Sequence, residues 1–117
     1  MEDKSTVNKP WGWFRQYVIN DKCSVKVHTV RKGEACSLQS HTRRAELFVP
    51  LDEGIVVDRD GENIEAKPGE EIYIPVGARH RFTATKMDGR ILEICFGHFD
   101  EDDIIRHEDR YGRLEKA

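Results

Sequence analysis

The 117-residue chain is poor in the features that announce most specialised functions. It has no apolar run near the ~20 residues a membrane helix needs. Its opening, MEDKSTVNK, is polar and charged, so the sequence predicts no membrane span, no export signal and a cytoplasmic location. The three cysteines, Cys23, Cys36 and Cys95, are odd in number and widely spaced. That argues against a disulfide framework and for free thiols in a reducing compartment. Charge of one sign is lacking too: 19 basic residues against 22 acidic leave a net charge of −3, although 35% of residues are charged. Nothing in that balance draws nucleic acid or a lipid surface. Internal repeats, low-complexity linkers and, before Phe99, apolar residues at helical spacing are also missing. One domain with one core is expected.

What the chain has is period two. Between Cys23 and Arg31, the residues Cys23, Val25, Val27 and Thr29 alternate with Ser24, Lys26, His28 and Val30, as in a half-buried strand. On this reading His28 falls on the more polar face and is a solvated strand residue. Further short strands are expected over 14–19, 46–50, 54–58, 63–66, 71–74, 81–85 and 90–96. Turn signals separate them, among them Asn20-Asp21-Lys22, Asp60-Gly61, Lys67-Pro68-Gly69 and Asp88-Gly89. Such a succession predicts an all-β sandwich or barrel. The two ends differ in character. Residues 1–8 are expected to be a flexible tail ahead of a single domain over 9–117. That domain opens on Lys9-Pro10-Trp11-Gly12-Trp13-Phe14, whose aromatics should cover one end of the core or stack on a sugar. Residues 97–113 are highly charged, with Phe99, Ile104, Ile105 and Tyr111 to dock them, and the acidic run is expected to start one short helical turn.

Potential chemistry is concentrated between Gly33 and Gly54. Gln39 and His41 lie two apart and would share a strand face; Arg44 and Glu46 repeat the spacing. A turn or bulge at Thr42-Arg43 would bring both pairs onto one wall, and His80, after the Pro75-Val76-Gly77 turn, offers a second imidazole. An amide oxygen, two imidazoles and a carboxylate form a divalent-metal site suited to zinc and also to manganese, cobalt, nickel or iron. Arg43, Arg44, Arg79 and Arg81 flank these donors, and a local excess of guanidinium suits a phosphate or carboxylate on a substrate. Arg44, on the face of Glu46, is the first candidate for that contact. Arg79 and Arg81 alternate with His80 and either reach the substrate or solvate an outer face. Glu93 lies in the apolar stretch Ile91-Leu92-Glu93-Ile94-Cys95, where a buried carboxylate is costly unless paired. It is read either as a proton-transfer group or as the structural partner of an arginine.

The order of glycine, ligand pair, glutamate and glycine, followed by P-x-G-x-x-H, resembles the two signatures of the cupin superfamily. That implies an all-β double-stranded β-helix, a jelly-roll barrel, with a short charged C-terminal segment. The usual first histidine is here Gln39. The run Ser37-Leu38-Gln39-x-His41-x-x-Arg44-x-Glu46, the opening Lys9-Pro10-Trp11-Gly12 and the ending Tyr111-Gly112-Arg113 resemble the cupin domain of type II phosphomannose isomerases. The resemblance runs from about Lys9 to Arg113. It implies Gln39, His41, Glu46 and His80 as ligands of one divalent metal ion, zinc first. Arg106 and Arg113 join Arg44, Arg79 and Arg81 as substrate-binding candidates, and Arg44 and Glu93 are the catalytic candidates. The implied reaction is reversible conversion of mannose 6-phosphate to fructose 6-phosphate through a cis-enediol, in a stand-alone domain. A homodimer is the default expectation for a barrel with open edge strands.

Three departures narrow what carries over. Glu46-Leu47-Phe48 stands where the family tends to have Glu-His-Trp, and Cys95 where a glutamine is expected. The glycine-rich nucleotide motif of the guanylyltransferase commonly fused to these domains has no counterpart, so no nucleotide activity is carried over. Two other readings remain: a non-catalytic sugar-phosphate-binding cupin, and a metal cupin acting on another small polar substrate as an epimerase or oxygenase. Gln39 in place of histidine speaks against the oxygenase.

Overall fold

The computed structural model describes residues 5–100 and 102–112, and among them it contains eleven strands and no helix. A four-stranded sheet runs in the order β3 (Cys23–Val30), β10 (Gly89–Gly97), β5 (Arg44–Pro50) and β8 (Ile72–Ile74). A five-stranded sheet runs β11 (Ile105–Glu108), β4 (Leu38–Ser40), β9 (His80–Ala84), β6 (Ile55–Arg59) and β7 (Glu62–Ala66). Every pairing in both is antiparallel. The sheets share one apolar cluster, in which Phe48, Ile72, Ile74 and Ile91 of the first meet Ile55, Val57, Phe82 and Ala84 of the second. Sheets joined face to face in this way form the expected jelly-roll barrel.

Turn chemistry sets the register. Asp60 and Gly61 take φ of 50° and 88° between β6 and β7, and the Gly61 amide donates to Asp58 Oδ1 at 2.9 Å. Two consecutive positive φ values match the twist of a tight hairpin, which is why Asp-Gly was readable there. Strand β5 is buried along its whole length because it is covered on both sides. Glu46 and Phe48 face the barrel, whereas Leu47 and Val49 pack with Ile94 beneath Tyr17 and Val18.

Four expectations need correction. Residues 5–8 are not a tail: β1 (Ser5–Lys9) pairs with β2 (Gly12–Gln16) from Ser5↔Gln16 to Lys9↔Gly12. Thr6 and Val7 favour extended backbone and Pro10-Trp11 supplies the turn. Residues 1–4 of that expected tail lie outside the described residues. The tryptophans do not cover the core; Trp11 and Trp13 are 75% and 63% exposed on a hairpin that forms its own sheet. Among the described residues the acidic run starts no helix. Asp100 to Asp103 close a single turn, and Ile105 to Glu108 then add to the open edge of β4, with a register shift between Arg106 and Glu108. A β-branched pair beside an unpaired strand edge outweighs the helix preference of the acids.

The faces of β3 are reversed. Val25 and Val27 are 59% and 54% exposed, whereas Lys26 and His28 turn inward. Alternation identified the strand but not its buried side, because this barrel encloses a polar cavity beside its apolar core. No helix among the described residues is long and apolar enough to cross a membrane.

Gly97 ends β10 opposite Arg44 at φ 102°, and a Cβ there would lie 2.6 Å from the Arg43 carbonyl oxygen. Gly97→Ala should therefore cost about 2 kcal/mol from backbone strain and overlap. In thermal melts this would appear as a fall in Tm of roughly 10 °C.

Candidate metal and sugar site

The site begins with two inward positions on neighbouring strands. Glu46 on β5 is 1% exposed and His80, which opens β9, is fully buried. His41 follows the end of β4 in a loop and is 2% exposed. The loop is held by Asp103, whose carboxylate accepts from the Thr42 amide at 2.9 Å, the Thr42 hydroxyl at 2.7 Å and the Arg43 amide at 2.9 Å. The turn expected at Thr42-Arg43 is thus anchored from a segment about sixty residues away, a contact with no local sequence signal.

The tautomers follow from the outer hydrogen bonds. His41 Nδ1 donates to the Asp103 carbonyl at 2.7 Å and His80 Nδ1 donates to the Ala78 carbonyl at 3.0 Å. Both Nε2 atoms are then lone-pair donors aimed inward. They lie 3.6 Å (His41) and 3.0 Å (His80) from Glu46 Oε1. Despite that closeness, Glu46 Oε1 and His80 Nε2 are buried without hydrogen-bond geometry to any partner. Lone pairs facing one another inside a protein repel unless a cation lies among them. Ligand atoms of His41, Glu46 and His80 all fall within 4.8 Å of one another, which fits a divalent ion. Burial pushes the Glu46 carboxyl pKa up, but the polar groups packed around it, the Arg44 guanidinium among them, outweigh that and hold it below the ordinary carboxylate range. Burial also lowers the His41 pKa, which keeps that ring neutral and able to ligate.

Gln39, the fourth predicted ligand, is paired across the sheet with His80, and its amide oxygen accepts the Ser37 hydroxyl at 2.7 Å. It lies beside the three-residue cluster and lines the same cavity. Arg44 is buried and fully engaged. Its Nε donates to Glu46 Oε2 at 3.0 Å and Nη1 to the Asp100 carbonyl at 3.0 Å, while Nη2 lies 3.2 Å from His41 Nε2. The guanidinium also stacks over Phe99, 4.7 Å from the ring centroid.

A cavity of about 560 Å³ lies beside this cluster, lined in part by Lys26, His28, Gln39, Arg44, Glu93 and Arg106; Gln39 and Arg44 separate it from His41, Glu46 and His80, which do not line it. Arg106 pairs with Gln39 across β11 and β4, and its buried Nε has no hydrogen-bond partner. A guanidinium on a cavity wall is suited to an anion. Glu93, 4% exposed, takes His28 Nε2 at 2.8 Å on one oxygen and the Cys95 thiol at 2.8 Å on the other. Cys95 stands 3.7 Å from Glu46 Oε2, so it bridges the two carboxylates, and burial with Glu93 raises its thiol pKa. Phe48 packs its ring 5.7 Å from His80 and 5.6 Å from Phe82, while Leu47 belongs to the outer layer.

Two arginines expected at the substrate are elsewhere. Arg81 donates to the Cys36 carbonyl at 2.9 Å and reaches Glu108 at 3.4 Å, which ties β9 to the C-terminal strand. Arg79 is exposed, and neither residue lines the cavity. With His80 inward, period two directs both away from it. Arg113 lies outside the described residues. Nearby, the Arg110 side chain donates to the Gly33 carbonyl at 2.8 Å and the Tyr111 hydroxyl bonds Glu34, so the chain folds back over the cavity mouth. His28, read from sequence as solvated, is a wall residue. Only the reversal of β3 could have revealed it.

An antiparallel jelly roll with two histidines and a glutamate converging inside it belongs to the cupin class. The family model described as "Mannose-6-phosphate isomerase C-terminal" matches residues 1–109, and the chain is a member of that family. It is 37% identical over 110 residues to "Mannose-1-phosphate guanylyltransferase" of Escherichia coli, covering 92% of this chain and 23% of that protein. It is 34% identical over 109 residues to "Alginate biosynthesis protein AlgA" of Pseudomonas aeruginosa, again covering 92% and 23%. The chain therefore spans about a quarter of the length of these curated relatives. Among solved structures, the capsular polysaccharide assembling protein CapF from Staphylococcus aureus shares the fold at TM-score 0.64 and 22% identity, over 90% of this chain and 34% of that one. The dTDP-6-deoxy-D-glucose-3,5-epimerase RmlC from Legionella pneumophila does so at TM-score 0.65 and 15% identity, over 96% and 73%. The chain is accordingly a cupin domain related to enzymes of carbohydrate metabolism.

The Asp103 anchor makes acid stability testable. Burial raises its pKa, but the Thr42 and Arg43 donors bring it down to about 2, below the unfolded value of ~3.9. A depressed carboxyl contributes stability that is present above the unfolded pKa and lost as pH falls through the folded one. Urea unfolding from pH 5 to pH 2 should show this loss in the wild type. In Asp103→Ala the acid limb should be flatter, with the variant about 1 kcal/mol less stable at pH 7.

Proposed function

We propose that the chain is a metal-dependent sugar-phosphate isomerase that interconverts mannose 6-phosphate and fructose 6-phosphate. The observation that carries this reading is the buried meeting of His41 Nε2, His80 Nε2 and Glu46 Oε1 beside a cavity whose lining includes Gln39, Arg44 and Arg106. His41, Glu46 and His80 would hold the ion, with Gln39 beside His80 as the fourth donor, and zinc is the first expectation. When bound, a divalent cation polarises the C1 and C2 oxygens of the sugar and stabilises the negative charge of an enediolate. Arg106, whose side chain lines the cavity, binds the phosphate. Arg44 fixes the orientation of the Glu46 carboxylate and keeps a positive charge at the reacting end of the cavity. Buried walls around the cluster keep water from the enediol. The reading places the protein in the cytoplasm, where sugar phosphates are made and used.

A second reading has one observation in its favour. Arg44 Nη2 at 3.2 Å already occupies the His41 lone pair, so the cluster has a counter-cation of its own. A sugar-phosphate-binding cupin without turnover would need no more than that. A coupled assay of mannose 6-phosphate to fructose 6-phosphate separates the two, using protein stripped of metal and reloaded with zinc, cobalt, manganese or nickel. Turnover that depends on metal and falls roughly 10²-fold or more in His41→Ala is expected. Absence of turnover with every metal, in protein that binds one ion per chain, would sink the isomerase in favour of the binding module.

The same reading includes a homodimer, supported by Val25 and Val27 exposed on the edge strand β3 and by the exposed Trp11 and Trp13. Light scattering after size exclusion should give the mass of two chains; a single-chain mass across the micromolar range would overturn it.

A further inference from the structure

We infer that His28, oriented by Glu93, is the base that moves a proton between C2 and C1 of the bound sugar, an assignment that rests on the isomerase reading. The imidazole is set from two sides. Its Nε2–H donates to Glu93 Oε1 at 2.8 Å, and its ring leans on Phe82 with centroids 5.0 Å apart at 43°. Nδ1 then carries the lone pair and has no protein partner among the described residues. This is the arrangement of an activated base: one ring nitrogen tied to a buried carboxylate, the other without a protein partner, on a residue that lines the cavity.

Position agrees with that role. Ligand atoms of Glu46, Glu93 and Cys95 lie within 4.8 Å of one another, so His28 stands one carboxylate away from the metal-ligand cluster. His28, Gln39, Arg44 and Arg106 line the same cavity. A sugar with its C1 and C2 oxygens toward the cluster and its phosphate at Arg106 would pass this imidazole.

The other groups on the wall are less suited. Arginine does not give up its proton, which removes Arg44 and Arg106. Lys26 is already engaged, with Nζ 3.8 Å over the Phe99 ring and 3.9 Å from Glu93. Cys36 has its thiol pushed up to about 11 by burial, and Glu34 is bonded to Tyr111 at the mouth. Glu93 has both oxygens occupied, one by His28 and the other by Cys95, and so positions the base without reaching the sugar.

The step balances without an oxidant. His28 Nδ1 takes the proton from C2 of the open-chain aldose, the C–H electron pair forms the C1=C2 bond, and O1 gains a proton. O2 then loses its proton as C2=O forms, and Nδ1–H returns its proton to C1. One hydrogen moves from C2 to C1 and one from O2 to O1.

Metal-loaded wild type, His28→Asn, His28→Ala and Glu93→Gln should be compared on mannose 6-phosphate. The readouts are kcat and KM, exchange of the C2 hydrogen with deuterium oxide by NMR, and metal content. His28→Asn should lose 10²- to 10⁴-fold in kcat and in C2 exchange, the usual worth of a general base, with KM within about threefold and metal content unchanged. Added imidazole should restore part of the activity of His28→Ala, which a structural role would not allow. Glu93→Gln should lower kcat less than His28→Asn. Wild-type turnover with unimpaired C2 exchange in His28→Asn, or no imidazole rescue in a folded, metal-loaded His28→Ala, overturns the assignment and leaves the isomerase standing. A loaded wild type that neither turns over nor exchanges C2–H overturns both.

Discussion

Glu46 is the constraint around which the rest is arranged. A carboxylate 1% exposed inside a barrel is costly by several kcal/mol unless charge and hydrogen bonds surround it. Arg44, whose Nε donates to Oε2, supplies part of that compensation, while His41 from the β4–β5 loop and His80 from β9 turn ring nitrogens on Oε1 that call for a cation between them. β5 must run through the middle of its sheet to bury Glu46, β9 must begin at His80, and the β4–β5 loop must stay turned on Asp103. Moving any one of these would leave buried charge without compensation. The polar cluster therefore specifies the barrel's register as firmly as the apolar core does.

The barrel is divided accordingly. On one side Phe48, Ile55, Val57, Phe82 and Ile91 form a dry core, and Phe48 and Phe82 lie at its border with the ionisable groups. On the other, Lys26, His28, Glu93 and Arg106 line a space large enough for a sugar phosphate. β3 serves that second side, which is why its polar residues point inward and its valines outward.

Family membership and site geometry carry different parts of the functional account. Membership ties the chain to carbohydrate enzymes, yet it spans only 23% of the Escherichia coli guanylyltransferase it resembles. The chemistry rests on the arrangement of lone pairs and on the cavity beside them. Cys95 shows how a local departure acts: where a glutamine was expected, a thiol donates to Glu93 and approaches Glu46, linking the ligand cluster to the His28 couple.

Much was legible before any coordinates. Period-two alternation and Asp-Gly, Pro-Gly and Gly turns located β3, β5–β8 and β10 to within a few residues, because backbone geometry imposes those signals locally. The spacing of His41, Glu46 and His80 also marked the buried cluster, since strand period and a single turn suffice to bring the first two together. What the sequence left open was every decision made by distant chain: which side of β3 is wet, where Arg81 ties, that Asp103 pins the ligand loop, and that the last acidic segment adds a strand instead of a helical turn. Those outcomes depend on which edges and faces remain unpaired once the sheets have closed. Hence local residue pattern determined the strands, the turns and the members of the buried His–Glu–His cluster, while tertiary structure decided the interior face, the partners of each arginine and the placing of His28 beside Glu93.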